Sequence, residues 1–379
     1  MSLRYPTIYA FALLTLFACA MAVSTQNARA QSGRTKTTQT TPSGRDEQER
    51  IKVFTEEVRL PVFVTDEKGR FDPTLEANDF LVLEDDVAQE VRSVRRIPAH
   101  VLLLLDTCGW MNPAMKTTET RDIALNLINQ LKAGDHISIM QFGDRAELLQ
   151  DWTVETNQSE HVLKTKLHST KRASLTNALV DAATRFQDTP IGNRHIVLVT
   201  DGVETATARE NYTTALQPLL DTQATVHVIS YTAIGRAAIK GSSGTFGGRG
   251  QRTASDVASE VNPNLPKPVQ NGAVINLDRA MQRRKDEYVY ATLQSEAKLT
   301  KLASETGGQI LLPVTADDLI EQGERVARDV GAQYVVTYKP KRSLASAAPG
   351  EYRRVQVVLR RAGLQARTRP GYTAAPTSP

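Results

Sequence analysis

Hydrophobic positions along the chain follow two patterns, and the change between them separates a central α/β region from two flanking β regions. Over 51–97 and again over 331–373, apolar and polar residues alternate, which is typical of strands with one buried face. Over 98–330, short apolar runs alternate with stretches of helical periodicity. The pattern predicts a doubly wound, mostly parallel α/β sheet of Rossmann-like type, inserted between flanking β segments that we expect to form a small β-sandwich.

The central region begins with an apolar run that ends on Asp106, and a later run ends just before Asp201. The predicted strands are 101–105, 137–142, 196–200, 226–231 and 309–312, and the predicted helices are 116–131, 174–186, 212–220, 296–306 and 319–330. Doubly wound sheets bind ligands in the crevice beyond the carboxyl ends of their strands. Asp106 and Asp201 are therefore the first candidates for a site.

Residues 234–276 interrupt this alternation with a glycine-rich and then a proline-rich stretch. We interpret them as a long flexible loop, which is either a plain linker or a loop that contacts a partner. Residues 278–285 are expected to add a short basic helix.

The N-terminus predicts export. Arg4 precedes an uncharged apolar run, 8–23, and Ala28-Arg29-Ala30 fits the small-x-small cleavage rule, so residues 1–30 are interpreted as a signal peptide. The alternative is a lipobox ending on Cys19, which would be acylated and retained. Either reading directs the mature protein to the periplasm or beyond, and no later run is long and apolar enough to span a membrane.

Composition adds further limits. The spacer, residues 31–50, contains no aliphatic or aromatic residue, so we expect it to be disordered. The formal net charge is +4, and the basic residues are scattered rather than clustered, which argues against nucleic acid as a partner. Cys19 and Cys108 are the only cysteines, so cleavage of the signal peptide would leave no intramolecular disulfide.

Three short motifs carry a family resemblance: Asp106-Thr-Cys-Gly-Trp-Met111, Leu131-Lys-Ala-Gly-Asp135 and Val199-Thr-Asp-Gly202. They resemble the Asp-x-Ser-x-Ser motif, the helix end and the Thr-Asp-Gly motif of von Willebrand factor A (vWA) domains. With the flanks, the resemblance covers roughly 51–373. It looks closest to the vWA-related proteins of acidobacteria, whose C-terminal pattern is similar to Tyr334, Tyr338 and Arg369-Pro-Gly-Tyr372.

The resemblance implies a metal-ion-dependent adhesion site that binds Mg²⁺ through hard oxygen ligands. Asp106 and Asp201 match the two aspartates of that site. The three neutral ligands do not match, since Cys108 and Trp110 replace the two serines and Ala173 falls at the threonine position. Ser174 and Thr176 would reach the site only if their loop were rebuilt.

The site is thus interpreted as degenerate, and we expect no cofactor. Two neighbouring carboxylates without a cation would repel each other and raise one pKa. We expect Lys171 and Arg172, where the family has glycines, to supply the missing positive charge. The alternative is that both are solvated loop residues.

The predicted function is that of a non-enzymatic protein-binding module, for adhesion or as a scaffold. Its partner would contact either the 234–276 loop or a surface formed by Asp106, Cys108, Trp110, Lys171, Arg172 and Asp201. One alternative is a Mg²⁺-dependent adhesin. Another is a thiol enzyme that uses Cys108 with His136 or His195 as base, although the sequence has no familiar hydrolase, zinc-protease or phosphate-binding motif.

Overall fold

The computed structural model describes residues 56–108, 113–243 and 279–374. The strands are β1 (Val58–Asp66), β2 (Phe80–Glu84), β3 (Val87–Arg95), β4 (His100–Asp106), β5 (His136–Phe142), β6 (Ala146–Thr153), β7 (Arg194–Thr200), β8 (Thr225–Ser230), β9 (Ile310–Leu311), β10 (Gln333–Lys339), β11 (Tyr352–Leu359), β12 (Leu364–Thr368) and β13 (Gly371–Thr373). The helices are α1 (Pro113–Gln130), α2 (Thr156–Thr165), α3 (Leu175–Thr184), α4 (Tyr212–Asp221), α5 (Thr232–Ser243), α6 (Arg279–Glu305) and α7 (Ala316–Gly331).

The central sheet has six strands in the order β6-β5-β4-β7-β8-β9. All neighbours pair in parallel except β6, which is antiparallel to β5. The middle strand β4 is buried along nearly its whole length because helices cover both faces of the sheet. Its apolar run therefore has no solvent-facing positions, as its sequence predicted.

Helices lie on both faces of this sheet. One apolar core contains side chains from α1, α2 and α7, and the other contains side chains from α3, α4 and α6. This arrangement confirms the doubly wound α/β prediction. It also leaves the carboxyl ends of β4 and β7 side by side at one edge of the sheet.

The two flanking regions pair with each other to form a second sheet. Its seven strands have the order β12-β1-β10-β3-β2-β11-β13, so β10 from the C-terminal flank lies between β1 and β3 from the N-terminal flank. The predicted pairing of the flanks is confirmed. The seven strands form one curled sheet, and each of them contributes side chains to a single apolar core. The flanks therefore do not form the two stacked layers of the predicted β-sandwich.

A buried carboxylate joins four strands of the curled sheet. Glu84 on β2 accepts hydrogen bonds from Tyr338 on β10 and Tyr372 on β13, each 2.8 Å long. Arg353 on β11, 1% exposed, places its Nη1 3.3 Å from Glu84 Oε1. Since Tyr338 and Tyr372 belong to one flank and Glu84 to the other, this cluster ties the two ends of the described chain together.

The structure corrects several predicted elements. The loop predicted from residue 234 begins with helix α5, and the rest of that loop, 244–276, lies outside the described residues. The helices predicted over 278–285 and 296–306 are parts of the single 27-residue helix α6. The end of the alternating C-terminal flank is divided into β12 and β13, because Pro370 cannot donate to a ladder.

Two elements, β6 and α2, were not predicted at all. They lie between the predicted second strand and the next predicted helix. Strand β6 pairs with β5 at the edge of the sheet, and α2 packs on the same face as α1. Within the described part of the chain, no helix is long and apolar enough to cross a membrane. The predicted signal peptide, the spacer 31–50 and Trp110 lie outside the described residues.

Candidate functional site

The two candidate aspartates lie next to each other at the carboxyl edge of the central sheet. Asp106 is the last residue of β4, and Asp201 directly follows β7. Leu105 pairs in register with Val199, which places Asp106 beside Thr200 at the end of the neighbouring strand. Both carboxylates are buried, with Asp106 1% and Asp201 6% exposed. The expected convergence at the strand ends is therefore present.

A lysine lies between these two carboxylates. The Lys116 Nζ is 3.1 Å from Asp106 Oδ2 and 3.3 Å from Asp201 Oδ2. Lys116 belongs to the first turn of α1, and helical side chains point back toward the helix N-terminus, so this position directs the ammonium group to the end of β4. A cation at a helix N-terminus is opposed by the helix dipole. The two carboxylates offset that cost.

Two tyrosines complete the surroundings of the ammonium group. The Lys116 Nζ lies 4.5 Å from the centre of the Tyr231 ring, which is a cation–π contact. The Tyr231 hydroxyl donates to the backbone carbonyl of Asp106 at 3.1 Å, and the Tyr288 hydroxyl donates to Asp201 Oδ2 at 3.3 Å. The lysine is thus enclosed by two carboxylates and an aromatic face.

Other donors orient each carboxylate. Asp106 Oδ2 accepts a hydrogen bond from the Thr200 hydroxyl at 2.7 Å, and Asp106 Oδ1 accepts one from the Cys108 backbone N–H at 2.9 Å. Asp201 Oδ1 accepts from the Val203 N–H at 3.0 Å. Every carboxylate oxygen of the pair therefore has at least one protein donor, as buried charges require.

The charges of this cluster depend on each other. Burial raises the pKa of Asp106, the nearby charge of Asp201 raises it further, and Lys116 opposes both effects. Burial alone would lower the pKa of Lys116, but the charges of Asp106 and Asp201 outweigh burial and hold that pKa above its usual value. Lys116 is therefore a permanent cation at neutral pH, and it compensates one of the two negative charges.

The positive charge at the site does not come from the residues that we expected to supply it. Lys171 is exposed, and the Arg172 Nη2 is paired with Asp144 Oδ2 at 2.8 Å. The expectation that Lys171 and Arg172 compensate the negative charge of the aspartates is therefore wrong. The cation beside them is Lys116, ten residues after Asp106. A possible role of Lys171 and Arg172 in binding a partner remains a prediction.

The residues at and beside the threonine position, which could bind a metal ion only in a rebuilt loop, have other contacts. The Ser174 hydroxyl accepts the Asn177 N–H as the N-cap of α3, and the Thr176 hydroxyl donates to Glu204 Oε1 at 2.6 Å. The Ala173 side chain has no atom that could bind a metal ion. Among the described residues, no group of three or more His, Cys, Asp or Glu side chains is arranged to hold a metal ion. With Lys116 against both aspartates, these residues do not fit a divalent cation.

A cavity of about 330 Å³ opens beside Asp201. Its walls include Cys108, Asp201, Thr205, Arg284, Glu287 and Tyr288. Arg284 and Glu287 are exposed residues of α6, whereas Cys108 is buried at the inner end. The cavity thus connects the buried cluster with a charged rim on the surface.

Cys108 has the environment of a structural thiol. It is 6% exposed, its Sγ lies 3.8 Å from the Thr205 hydroxyl, and burial followed by the charge of Asp106 raises its pKa. His195 is the second residue of β7, so it lies about 17 Å from the carboxyl end of that strand. Its Nε2 is 2.7 Å from Asn193 Oδ1. His136, likewise at the start of its strand, stacks on His100.

Comparison with known families agrees with the sheet order and the strand-end aspartates. Residues 101–204 match the von Willebrand factor type A domain family. The matched segment includes both Asp106 and Asp201. The α/β part of the chain has the vWA fold, with the curled sheet built from its flanking strands.

Several solved structures are similar to this chain at low sequence identity. A von Willebrand factor type A protein from Catenulispora acidiphila is 13% identical, with 81% of this chain and 75% of that chain covered and a TM-score of 0.43. The conserved hypothetical protein BatB from Bacteroides thetaiotaomicron is 13% identical, with 62% and 97% covered and a TM-score of 0.36. Proximal thread matrix protein 1 of the mussel byssus, solved with a zinc-occupied MIDAS (metal-ion-dependent adhesion site) motif, is 11% identical, with 62% and 48% covered and a TM-score of 0.38. No curated protein sequence is significantly similar to this chain.

Proposed function

We propose that this chain is an exported, non-enzymatic protein-binding module, and that its vWA site works without a divalent metal ion because Lys116 supplies the cation. One observation carries this proposal: the Lys116 Nζ lies within 3.3 Å of an oxygen of each aspartate. An ammonium group has three N–H donors and no open coordination position. Two of those donors are directed to carboxylates, and the Tyr231 ring lies close to the same nitrogen.

A partner would consequently be recognised by the rim of the site rather than by a coordinated metal ion. At a metal-dependent site, a carboxylate of the partner can occupy a free position on the ion. Here Lys116 and the hydrogen-bond donors around it occupy both carboxylates, and the accessible charged groups include Lys171, Arg172, Arg284 and Glu287. We propose that these four side chains form the partner-binding surface, and that the 234–276 segment contributes to it.

Export is the second element of the proposal. It is supported by the charged start, the apolar run over 8–23 and the Ala-x-Ala site that ends at Ala30. Fractionation of producing cells, followed by determination of the N-terminal residue of the mature protein, tests this point. A mature start at Gln31 agrees with the proposal, an acylated Cys19 indicates the lipoprotein alternative, and an intact Met1 in the cytoplasm contradicts both.

The metal-free binding mode is tested by affinity capture. The mature chain, 31–379, is immobilised and exposed to an envelope fraction with either Mg²⁺ or a chelator. We expect the same partner to be retained in both conditions, and to be lost from a Lys171→Glu/Arg172→Glu variant. A Lys164→Glu/Lys301→Glu variant, with equal charge change on exposed helix positions, is the matched control.

Two results would oppose this proposal. Release of the partner by the chelator would support the Mg²⁺-dependent adhesin instead. Equal loss of the partner from the control variant would show that net charge, rather than this rim, determines binding.

The thiol-enzyme alternative makes a different prediction. A catalytic thiolate requires a lowered pKa and an accessible sulfur, whereas burial raises the pKa of Cys108. We expect iodoacetamide to label Cys108 slowly in the native protein and rapidly after unfolding. Fast labelling of the folded protein would favour the enzyme.

A further inference from the structure

A second cavity lies far from the strand-end aspartates, where the end of α4 meets the edge of the curled sheet. Its volume is about 820 Å³, within the range of small-molecule sites. The lining residues that matter here are Asp221, Gln223, Glu305, Tyr352 and Arg369. Arg369 belongs to the Arg-Pro-Gly-Tyr sequence near the C-terminal end of the described chain. The proposed partner-binding function does not involve this sequence.

Arg369 is buried without a counterion. It is 5% exposed, and it forms no ion pair with any residue that the structure describes. The Nη2 donates to the Arg59 carbonyl at 3.3 Å and to Gln223 Oε1 at 3.1 Å, while the buried Nε has no hydrogen-bond partner among the described residues. Burial lowers the pKa of Arg369 to about 10, so it remains a cation at neutral pH. A buried cation of this kind is costly unless an anion compensates it.

In the two other buried arginines, the protein itself satisfies the guanidinium group. Arg194, 6% exposed, has no carboxylate partner among the described residues, but its three nitrogens donate to the backbone carbonyls of Thr189, Pro190 and Thr222. Arg353 is 1% exposed and contacts two carboxylates, with its Nη1 3.3 Å from Glu84 Oε1 and its Nε 2.8 Å from Glu351 Oε1. Arg369 has neither a carboxylate partner nor an acceptor for its buried Nε among the described residues, and it lines a cavity with room for an anion. The contrast indicates that the missing anion is a ligand.

Gln223, which lines the same cavity, has an unusual backbone conformation. It has a φ of 59°, in the left-handed region, directly after the last residues of α4. Glycine is the usual residue at this position of a helix end, because a side chain there is strained. Strained backbone that persists is often found at binding sites. Here the strained residue is the one whose Oε1 accepts from Arg369.

We propose that this cavity binds the carboxylate of a small organic ligand, with Arg369 as the counterion and Gln223 holding the guanidinium in place. A monoanionic group fits better than a phosphate because Asp221 and Glu305 add negative charge to the same cavity. The ring of Tyr352, 56% exposed, provides a flat apolar wall for the body of the ligand.

The test uses two probes that differ only in the charged group, hippurate and its neutral amide, with inorganic phosphate as a third. Binding to the full mature chain is measured by isothermal titration calorimetry. We expect saturable binding of hippurate, at least tenfold weaker binding of the amide, and no detectable binding of phosphate.

Three variants locate the site. Arg369→Gln should abolish binding of hippurate, and Arg360→Gln, an exposed arginine in the turn between β11 and β12, should leave it unchanged. Because Arg369→Gln changes a buried position, Gln223→Gly serves as a second variant, in which glycine relieves the strained φ. We expect Gln223→Gly to fold normally and to weaken hippurate binding at least fivefold.

Four outcomes would overturn the proposal. They are equal binding of hippurate and its amide, preference for phosphate, no saturable binding of hippurate, and unchanged hippurate binding by Gln223→Gly and Arg369→Gln. All four are independent of the strand-end site, so failure here would leave the proposed protein-binding function untouched.

Discussion

Replacing Lys116 by methionine removes the ammonium group between Asp106 and Asp201 while keeping a side chain of similar length against Tyr231. Removing one partner of a buried charge cluster typically costs about 3–5 kcal/mol. The two carboxylate oxygens both lie within 3.3 Å of the lost nitrogen. These two distances allow the oxygens to be at most about 6 Å apart. At that separation and an effective dielectric constant of about 20, the repulsion between the two carboxylate charges is about 3 kcal/mol. We therefore expect Lys116→Met to lose about 3–5 kcal/mol of unfolding free energy at pH 8.

This loss should depend on pH, because Lys116 opposes the upward shift of the Asp106 pKa. In the variant, the folded-state pKa of Asp106 rises further above its unfolded value. A raised folded pKa contributes stability that is fully present below the unfolded pKa, near 4, and lost as pH rises through the folded pKa. The difference between the variant and the parent should accordingly be smaller at pH 5 than at pH 8, by about 1.4 kcal/mol for each unit of additional shift.

Urea unfolding at pH 5, 6, 7 and 8 measures both effects. Lys301→Met, which removes an exposed lysine from α6, is the matched control, and its effect should stay within about 0.5 kcal/mol at every pH. A loss below about 1 kcal/mol for Lys116→Met, or one that is the same at pH 5 and pH 8, would refute the assignment of Lys116 as the cation of this site.

Three further predictions concern other parts of the molecule. Mg²⁺ at 10 mM should leave the melting temperature of the parent chain unchanged but stabilise Lys116→Ser by about 1.4 kcal/mol if that variant binds the ion with a Kd of about 1 mM; a parent chain that Mg²⁺ stabilises would contradict the metal-free proposal. Burial holds the pKa of His195 well below its usual value and lowers that of His227 to about 3, so stability is complete above pH 6.5 and should fall below it by about 1.4 kcal/mol per pH unit for each histidine. Urea unfolding of His227→Gln between pH 7 and pH 5 should show a flatter slope than the parent chain, and an unchanged slope would contradict this account. Arg353→Met should lose about 3 kcal/mol because it removes the buried cation beside Glu84 and leaves only the exposed Arg342, at 3.9 Å, whereas the exposed Arg354→Met should change little. Equal effects of the two substitutions in chemical unfolding would show that the buried cluster has no special role.

The order of the strands and helices in the central sheet was largely predictable from the sequence. Each parallel strand is buried on both faces, so it appears as a continuous apolar run, and its covering helix repeats apolar residues at helical spacing. The unpredicted strand β6 has a mixed pattern because it is an antiparallel edge strand, with exposed residues such as Leu148. Helix α5 was missed because its glycines and small residues resemble a loop, although Ile239 is buried.

The pairing of the flanks was also predictable, but its geometry was not. Two short β segments cannot be stable alone, so they had to pair with each other. The interleaved order, with β10 between β1 and β3, depends on long-range registers such as Leu60 with Val336. Nothing in the local alternation of either segment specifies that register.

The sequence by itself determined that Asp106 and Asp201 meet at one edge of a doubly wound sheet, because strand ends can be recognised from local patterns. Only the tertiary structure decided what lies between them. Lys116 is an ordinary residue of a helical turn in the sequence, at a helix end where the dipole disfavours a cation. Its role arises from the path of the chain after Asp106, which returns the first turn of α1 to the end of β4 and brings Nζ against both carboxylates. The same holds for Arg369, whose lack of a counterion is visible only when the surrounding strands are in place.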